Sequence, residues 1–124
     1  MVETWVLGDE TVPTSTPTVL EMLQERIRAG LLETWLTSSS GRSLAFMSNT
    51  ERAMVIIMND EDDPGEHAMD QDASGSSKDF VLVDGQHDEY PDEDTLPLAE
   101  ALQVVNHILT TGAPPPHVAW SIDR

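Results

Sequence analysis

Fourteen of the chain's 23 acidic residues fall between positions 59 and 94, where Lys78 is the sole lysine or arginine. They are Asp60, Glu61, Asp62, Asp63, Glu66, Asp70, Asp72, Asp79, Asp84, Asp88, Glu89, Asp92, Glu93 and Asp94. Carboxylates at this density can ligate a cation, share protons in catalysis, or set up a field that draws in a basic partner. The calcium pattern starts and then fails. Asp60 and Asp62 occupy the first two ligand positions of an EF-hand loop and Gly65 its tight turn, but Pro64 takes the third ligand position and Gln71 the place of the closing bidentate glutamate. His67, His87, His107 and His117 are scattered, and Glu66-His67 is no metal motif by itself, so neither a metal nor another cofactor is expected. There is no Gly-x-Ser-x-Gly elbow, no phosphate-cradling glycine loop and no cysteine nucleophile. Carboxylates in water-exposed loops also lack anything to raise their pKa towards neutrality. An enzyme is therefore not expected.

A charge run of this kind ordinarily keeps a loop solvated. It also steers encounter with a positive surface and disfavours acidic partners, and this second reading is the one adopted here. The residues assigned to partner binding are Asp60, Glu61, Asp62, Asp63 and Glu66, followed by Asp88, Glu89, Asp92 and Glu93. The formal charge of −17 argues against direct contact with nucleic acid or an anionic membrane. The N-terminal MVETWVLGDE lacks the basic and apolar regions of a signal peptide, and no segment approaches the ~20 apolar residues of a membrane span. A soluble, cytoplasmic protein is expected. The 124 residues suit one domain, and without cysteine no disulfide frames it.

The elements that must position these residues are clearest in 94–120, DTLPLAEALQVVNHILTTGAPPPHVAW. Leu98, Leu102, Val105 and Leu109 form a helical stripe widened by Ala101 and Ile108. Pro97 fits the first turn, with Asp94 and Thr95 as cap acceptors, and Gly112 before three prolines stops the helix. Val118, Trp120 and Ile122 then alternate on one face of a strand. Upstream, Thr18 and Glu21 have the spacing of a capping box for a first helix with Leu20, Leu23 and Ile27 as its stripe and Gly30 as its stop. Strands are predicted at 31–37, 43–48, 53–58 and 80–83, with 4–7 as a short edge piece. The connections at 38–42 and 49–52 are too short for a parallel crossover. Residues 59–78 read as a mobile acidic loop and 86–94 as a second acidic connector. The fold class is α+β: a largely antiparallel sheet of about five strands with two amphipathic helices packed on it. Trp120 is expected in the core and Trp35 as a candidate surface anchor.

The closing segment resembles the C-terminal signature of the DddI-like family of bacterial immunity proteins, which are paired with deaminase toxins. The residues that carry it are Glu89-Tyr90-Pro91, Leu96-Pro97-Leu98-Ala99-Glu100-Ala101, Thr111-Gly112-x-x-Pro115 and Val118-Ala119-Trp120. The resemblance implies a small α+β inhibitor that binds and neutralises a cognate secreted toxin in the cytosol of the producing cell. It further implies that the partner is a basic deaminase or nuclease domain whose cleft is occluded by a monomer, giving a heterodimer. The motif residues themselves read as structural, so the resemblance transfers no interface residue. An acidic secretion chaperone or adaptor is the alternative that the charge also admits.

Overall fold

The computed structural model describes residues 5–7, 16–60, 62–81 and 85–123. In chain order the elements are β1 (Trp5–Leu7), α1 (Thr16–Arg28), β2 (Glu33–Ser38), β3 (Ser43–Ser48), β4 (Arg52–Met58), β5 (Glu66–Met69), β6 (Ser76–Val81) and β7 (His87–Pro91). A 3-10 turn (Asp92–Asp94), β8 (Leu96–Pro97), α2 (Leu98–Thr111) and β9 (Ala119–Ile122) complete the chain. The fold is α+β. The main sheet runs β1-β2-β3-β4-β5-β9 with every pairing antiparallel, and β8 shares β4's second edge with β5. β6 and β7 form a separate two-stranded hairpin.

Alternation along the strands divides the main sheet into two apolar faces. On one, Leu36, Leu44, Phe46, Val55, Ile57 and Ala68 pack with Leu23 of α1 and Ala101, Val104, Val105 and Ile108 of α2. On the other, Ala45, Met47 and Met54 are covered by Tyr90 of the hairpin. The helix stripe predicts this packing in α2, except that Val104 is also buried while Leu98 and Leu102 are only partly so. Helix ends follow local chemistry. At the end of α1, Leu31 N–H donates to Arg26 O (2.9 Å) and Gly30 N–H to Ile27 O (3.1 Å), with Gly30 left-handed at φ 83°. Gly112 ends α2 in the same region, φ 78°, its N–H on Ile108 O. Arg26 Nε donates to buried Thr34 Oγ1 (2.9 Å), tying α1 to β2.

Several expectations are corrected. The segment 59–78 is not one loop: 59–65 is the connection of a β4–β5 hairpin, Glu66–Met69 is a strand inside the main sheet, and Ser76 begins β6. The connector 86–94 is likewise β7 and a 3-10 turn. These strands carry few apolar residues because their backbones pair while many of their side chains meet water or polar partners, so alternation is silent. Among the described residues the main sheet has seven strands where about five are expected, and the other two form the hairpin. α1 begins at Thr16, which leaves Thr18 inside it; Pro17 tolerates the first turn because its absent N–H has no partner to lose. Pro97 precedes α2 in extended conformation (φ −52°, ψ 142°), and no side chain caps that helix. The Thr95 hydroxyl is committed elsewhere, and Leu98 N–H finds Glu51 O (3.0 Å) instead. Ile122 is 64% exposed, while Val118 is buried and Trp120 half-buried against the core. Position 4 of the predicted edge piece and positions 82–83 of the predicted 80–83 strand lie outside the described residues.

One irregularity keeps the hairpin in register with the core. Ser77 pairs with Tyr90 and Phe80 with Asp88, so Lys78 and Asp79 together oppose Glu89. This bulge, with Asp79 at φ 69°, restores Phe80 to the inner face, where it is fully buried and meets Tyr90 edge-on at 4.9 Å.

Candidate partner-binding surface

The acidic residues assigned to partner binding fall into two places. Asp60 and Asp62 are exposed on the β4–β5 turn; Asp63 is half-buried. That turn is built by its own carboxylates. Asp63 accepts hydrogen bonds from Asn59 N–H (2.8 Å) and Gly65 N–H (2.9 Å), and Asp60 accepts one from Asp62 N–H (2.9 Å). Gly65 is needed where it stands: its φ is 91°, and a Cβ there would meet Ile57 O at 2.7 Å. Glu66 lies in the ladder opposite Ile57 and Ile122. Glu61 lies outside the described residues.

The second group sits on and after β7. Asp88 faces inward and accepts from Tyr90 Oη (2.9 Å) and Gln86 Nε2 (2.7 Å). Burial first, then the Asp88 hydrogen bond and the charges of Asp88 and Glu33, push the Tyr90 phenol up to about 12. Glu89 is exposed and takes a hydrogen bond from Ser76 Oγ, and Asp92 takes one from Ser77 Oγ. Glu93 is exposed, with its carbonyl accepting Asp70 N–H at 2.8 Å. Asp92 and Glu93 adjoin the Arg52 end of β4, whereas the 59–65 turn follows its Met58 end. About 20 Å of strand separates them, taking ~3.3 Å per residue. The structure therefore does not gather the two sets into one patch.

Between them lie two clusters of polar side chains that hold the fold. Arg52 donates from Nε to Thr95 Oγ1 (2.7 Å) and from Nη2 to Asp70 Oδ2 (2.9 Å), Asp92 O (3.1 Å) and Thr95 O (3.1 Å). One guanidinium thus joins β4, the end of β5 and the 3-10 turn, using the fork that lysine lacks. His67 is gripped on both ring nitrogens: Nδ1 lies 2.9 Å from Asp123 and Nε2 3.0 Å from Asp94. Burial acts to lower its pKa, but the hydrogen bonds and charges of Asp123 and Asp94 outweigh it, and the net shift is upward from 6.5. An imidazole with both nitrogens engaged has none left to take a substrate proton, so the cluster acts as a clamp. Sequence reasoning misses both clusters, because the partners of His67 lie 27 and 56 residues away. The buried Thr95, fully inaccessible and next to an acidic run, is the one local hint.

Three arginines among the described residues are turned inward, while Arg28 and Lys78 are exposed. Arg26, Arg42 and Arg52 all bond backbone carbonyls, Arg42 reaching Gly112 O at 2.7 Å while lying 5.9 Å from the Trp5 ring centroid. Among the described residues, no three His, Asp or Glu side chains stand together in a way that would hold a metal ion. An open depression of about 240 Å³ beside α2, lined by residues including Glu100, His107, Thr111 and His117, is polar and shallow. Among the described residues no helix is long and apolar enough to cross a membrane. In comparisons with known proteins, no family model and no curated protein matches the chain.

Proposed function

We propose that this protein is an immunity protein: it binds a basic, nucleic-acid-targeting bacterial toxin domain, of the deaminase class, and blocks its substrate cleft in the cytoplasm of the producing cell. The observation that carries the reading is the charge distribution. A formal charge of −17 is combined with three arginines, Arg26, Arg42 and Arg52, committed to internal carbonyls, so exposed carboxylates such as Asp60, Asp62, Glu89 and Glu93 outnumber the exposed cations Arg28 and Lys78. An enzyme that handles a polyanion presents a basic cleft, and an acidic protein complements it in sign and speeds encounter. The resemblance of the C-terminal segment agrees with the structural duties of its residues. Gly112 stops α2, Pro115 and Val118 are buried, and Trp120 packs on the core. In this reading the protein performs no chemistry; it acts by occupying space and charge.

The direct test is co-expression with a basic toxin domain of the deaminase class, scoring survival and co-purification. Survival with a one-to-one complex is expected. Death despite good expression of this chain, or capture of the toxin only when unfolded, overturns the proposal; the second result points to an acidic chaperone.

A further inference from the structure

Among the described residues Leu31, Trp35 and Ile122 are the large hydrophobic side chains left exposed, and two of them lie four residues apart in and just before β2. Burial alternates along β2 and the two residues before it: Leu32, Thr34 and Leu36 are buried, while Leu31, Trp35 and Thr37 are exposed and Glu33 is half-buried. The Leu32 carbonyl accepts Ser48 N–H at 2.8 Å, and Leu31, whose N–H closes the end of α1 on Arg26 O, stands where the helix hands over to the strand. On the face opposite the helices the β6–β7 hairpin covers Met47 and Met54 through Tyr90 but leaves the β2 margin open, with Leu31 52% and Trp35 42% exposed. Trp35 Nε1 lies 3.4 Å from Glu33 Oε1, which holds the indole beside a carboxylate. The Glu33 charge also reaches Tyr90, and this places the Asp88 side of the hairpin along the same margin.

We propose that the Leu31-Glu33-Trp35 row is the seat for an arginine-bearing segment of the basic partner. This rests on the partner-binding reading given above and names the contact within it. An aromatic face next to a carboxylate suits a guanidinium, which stacks flat on the ring while its N–H fork reaches the acid; a lysine ammonium, compact and strongly hydrated, gains less. The chain already makes such a contact internally, with Arg42 over Trp5. Leu31, exposed two residues before β2, supplies a second apolar contact for the aliphatic part of the same segment. Trp35 is thus the anchor, and the acids on the 59–65 turn and β7 steer the approach.

The experiment is calorimetric titration of the purified chain with a basic toxin domain of the deaminase class that it protects against, at roughly 0.15 M salt, where exposed charges are screened beyond ~8 Å. Trp35→Ala is expected to weaken binding roughly 30-fold or more, as for an aromatic anchor, with Trp35→Phe closer to wild type. Glu33→Gln is expected to weaken binding by a smaller factor and to flatten its salt dependence. Thermal midpoints of all variants are compared with that of the wild-type chain, and only variants that match it are scored. If wild type binds and Trp35→Ala loses less than about tenfold, the seat is elsewhere and the immunity reading stands. If wild type itself does not bind, the function and the seat fall together.

Discussion

Two groups of carboxylates in this molecule have the same chemistry and opposite duties. Asp60 and Asp62, on the β4–β5 turn, face water and at most close their own loop. Asp70, Asp92, Asp94 and Asp123 converge instead on Arg52 and His67, where they fasten β4, β5, the 3-10 turn and the end of β9 to one another. What separates the groups is topology. β5 inserts between β4 and β9, and β8 takes the rest of β4's edge, so polar residues distant in the chain meet at those seams. An acidic sequence is therefore not uniformly a surface device.

The sharpest way to break the comparison is to remove the guanidinium. Arg52→Met leaves the fully buried Thr95 and the Asp70 carboxylate without their donor, and a loss of about 2–3 kcal/mol is expected in urea unfolding. A change below about 1 kcal/mol would mean that the cluster is ornamental to the fold. Next in size is Gly65→Ala, at φ 91° with Ile57 O at 2.7 Å from the new Cβ, expected to cost about 2 kcal/mol through strain in the turn.

The His67 clamp gives a difference of sign. Because its folded-state pKa lies above 6.5, its contribution to stability is complete below the unfolded value and is lost as pH rises through the folded value. The urea midpoint of wild type minus that of His67→Asn should thus fall as pH is raised above about 6.5. A difference that stays flat or grows with pH contradicts the clamp. Smallest in stability are Asp60→Asn and Asp62→Asn, each expected to lie within about 0.5 kcal/mol of wild type while lowering the rate of association with the partner. If either unfolds the chain, the turn belongs with the structural carboxylates after all.

Legibility in the sequence follows the same division. α2, its glycine stop and the β2–β4 meander are readable because each buries one face and so prints a period of 3.6 or 2. Residues 43–48 are read with their observed bounds. β5 and β7 are not readable: EHAM and HDEYP carry a histidine bound to two aspartates and an acid–tyrosine alternation, so backbone pairing, which leaves no compositional mark, defines them. The exposure of Trp35 accords with its assignment to the surface, whereas the roles of Arg52 and His67 depend on partners brought in by the sheet. For the same reason Asp92 and Asp63, which look equivalent to their neighbours in the acidic run, are engaged in holding loops together.

The measurement that bears most directly on the central claim is the dissociation constant of this chain for a basic toxin domain of the proposed deaminase class, followed from low to high salt. The account predicts a one-to-one complex that weakens steadily as salt rises, because steering and part of the affinity come from exposed carboxylates. A complex indifferent to salt would contradict the acidic docking surface, and the absence of any complex would contradict the function.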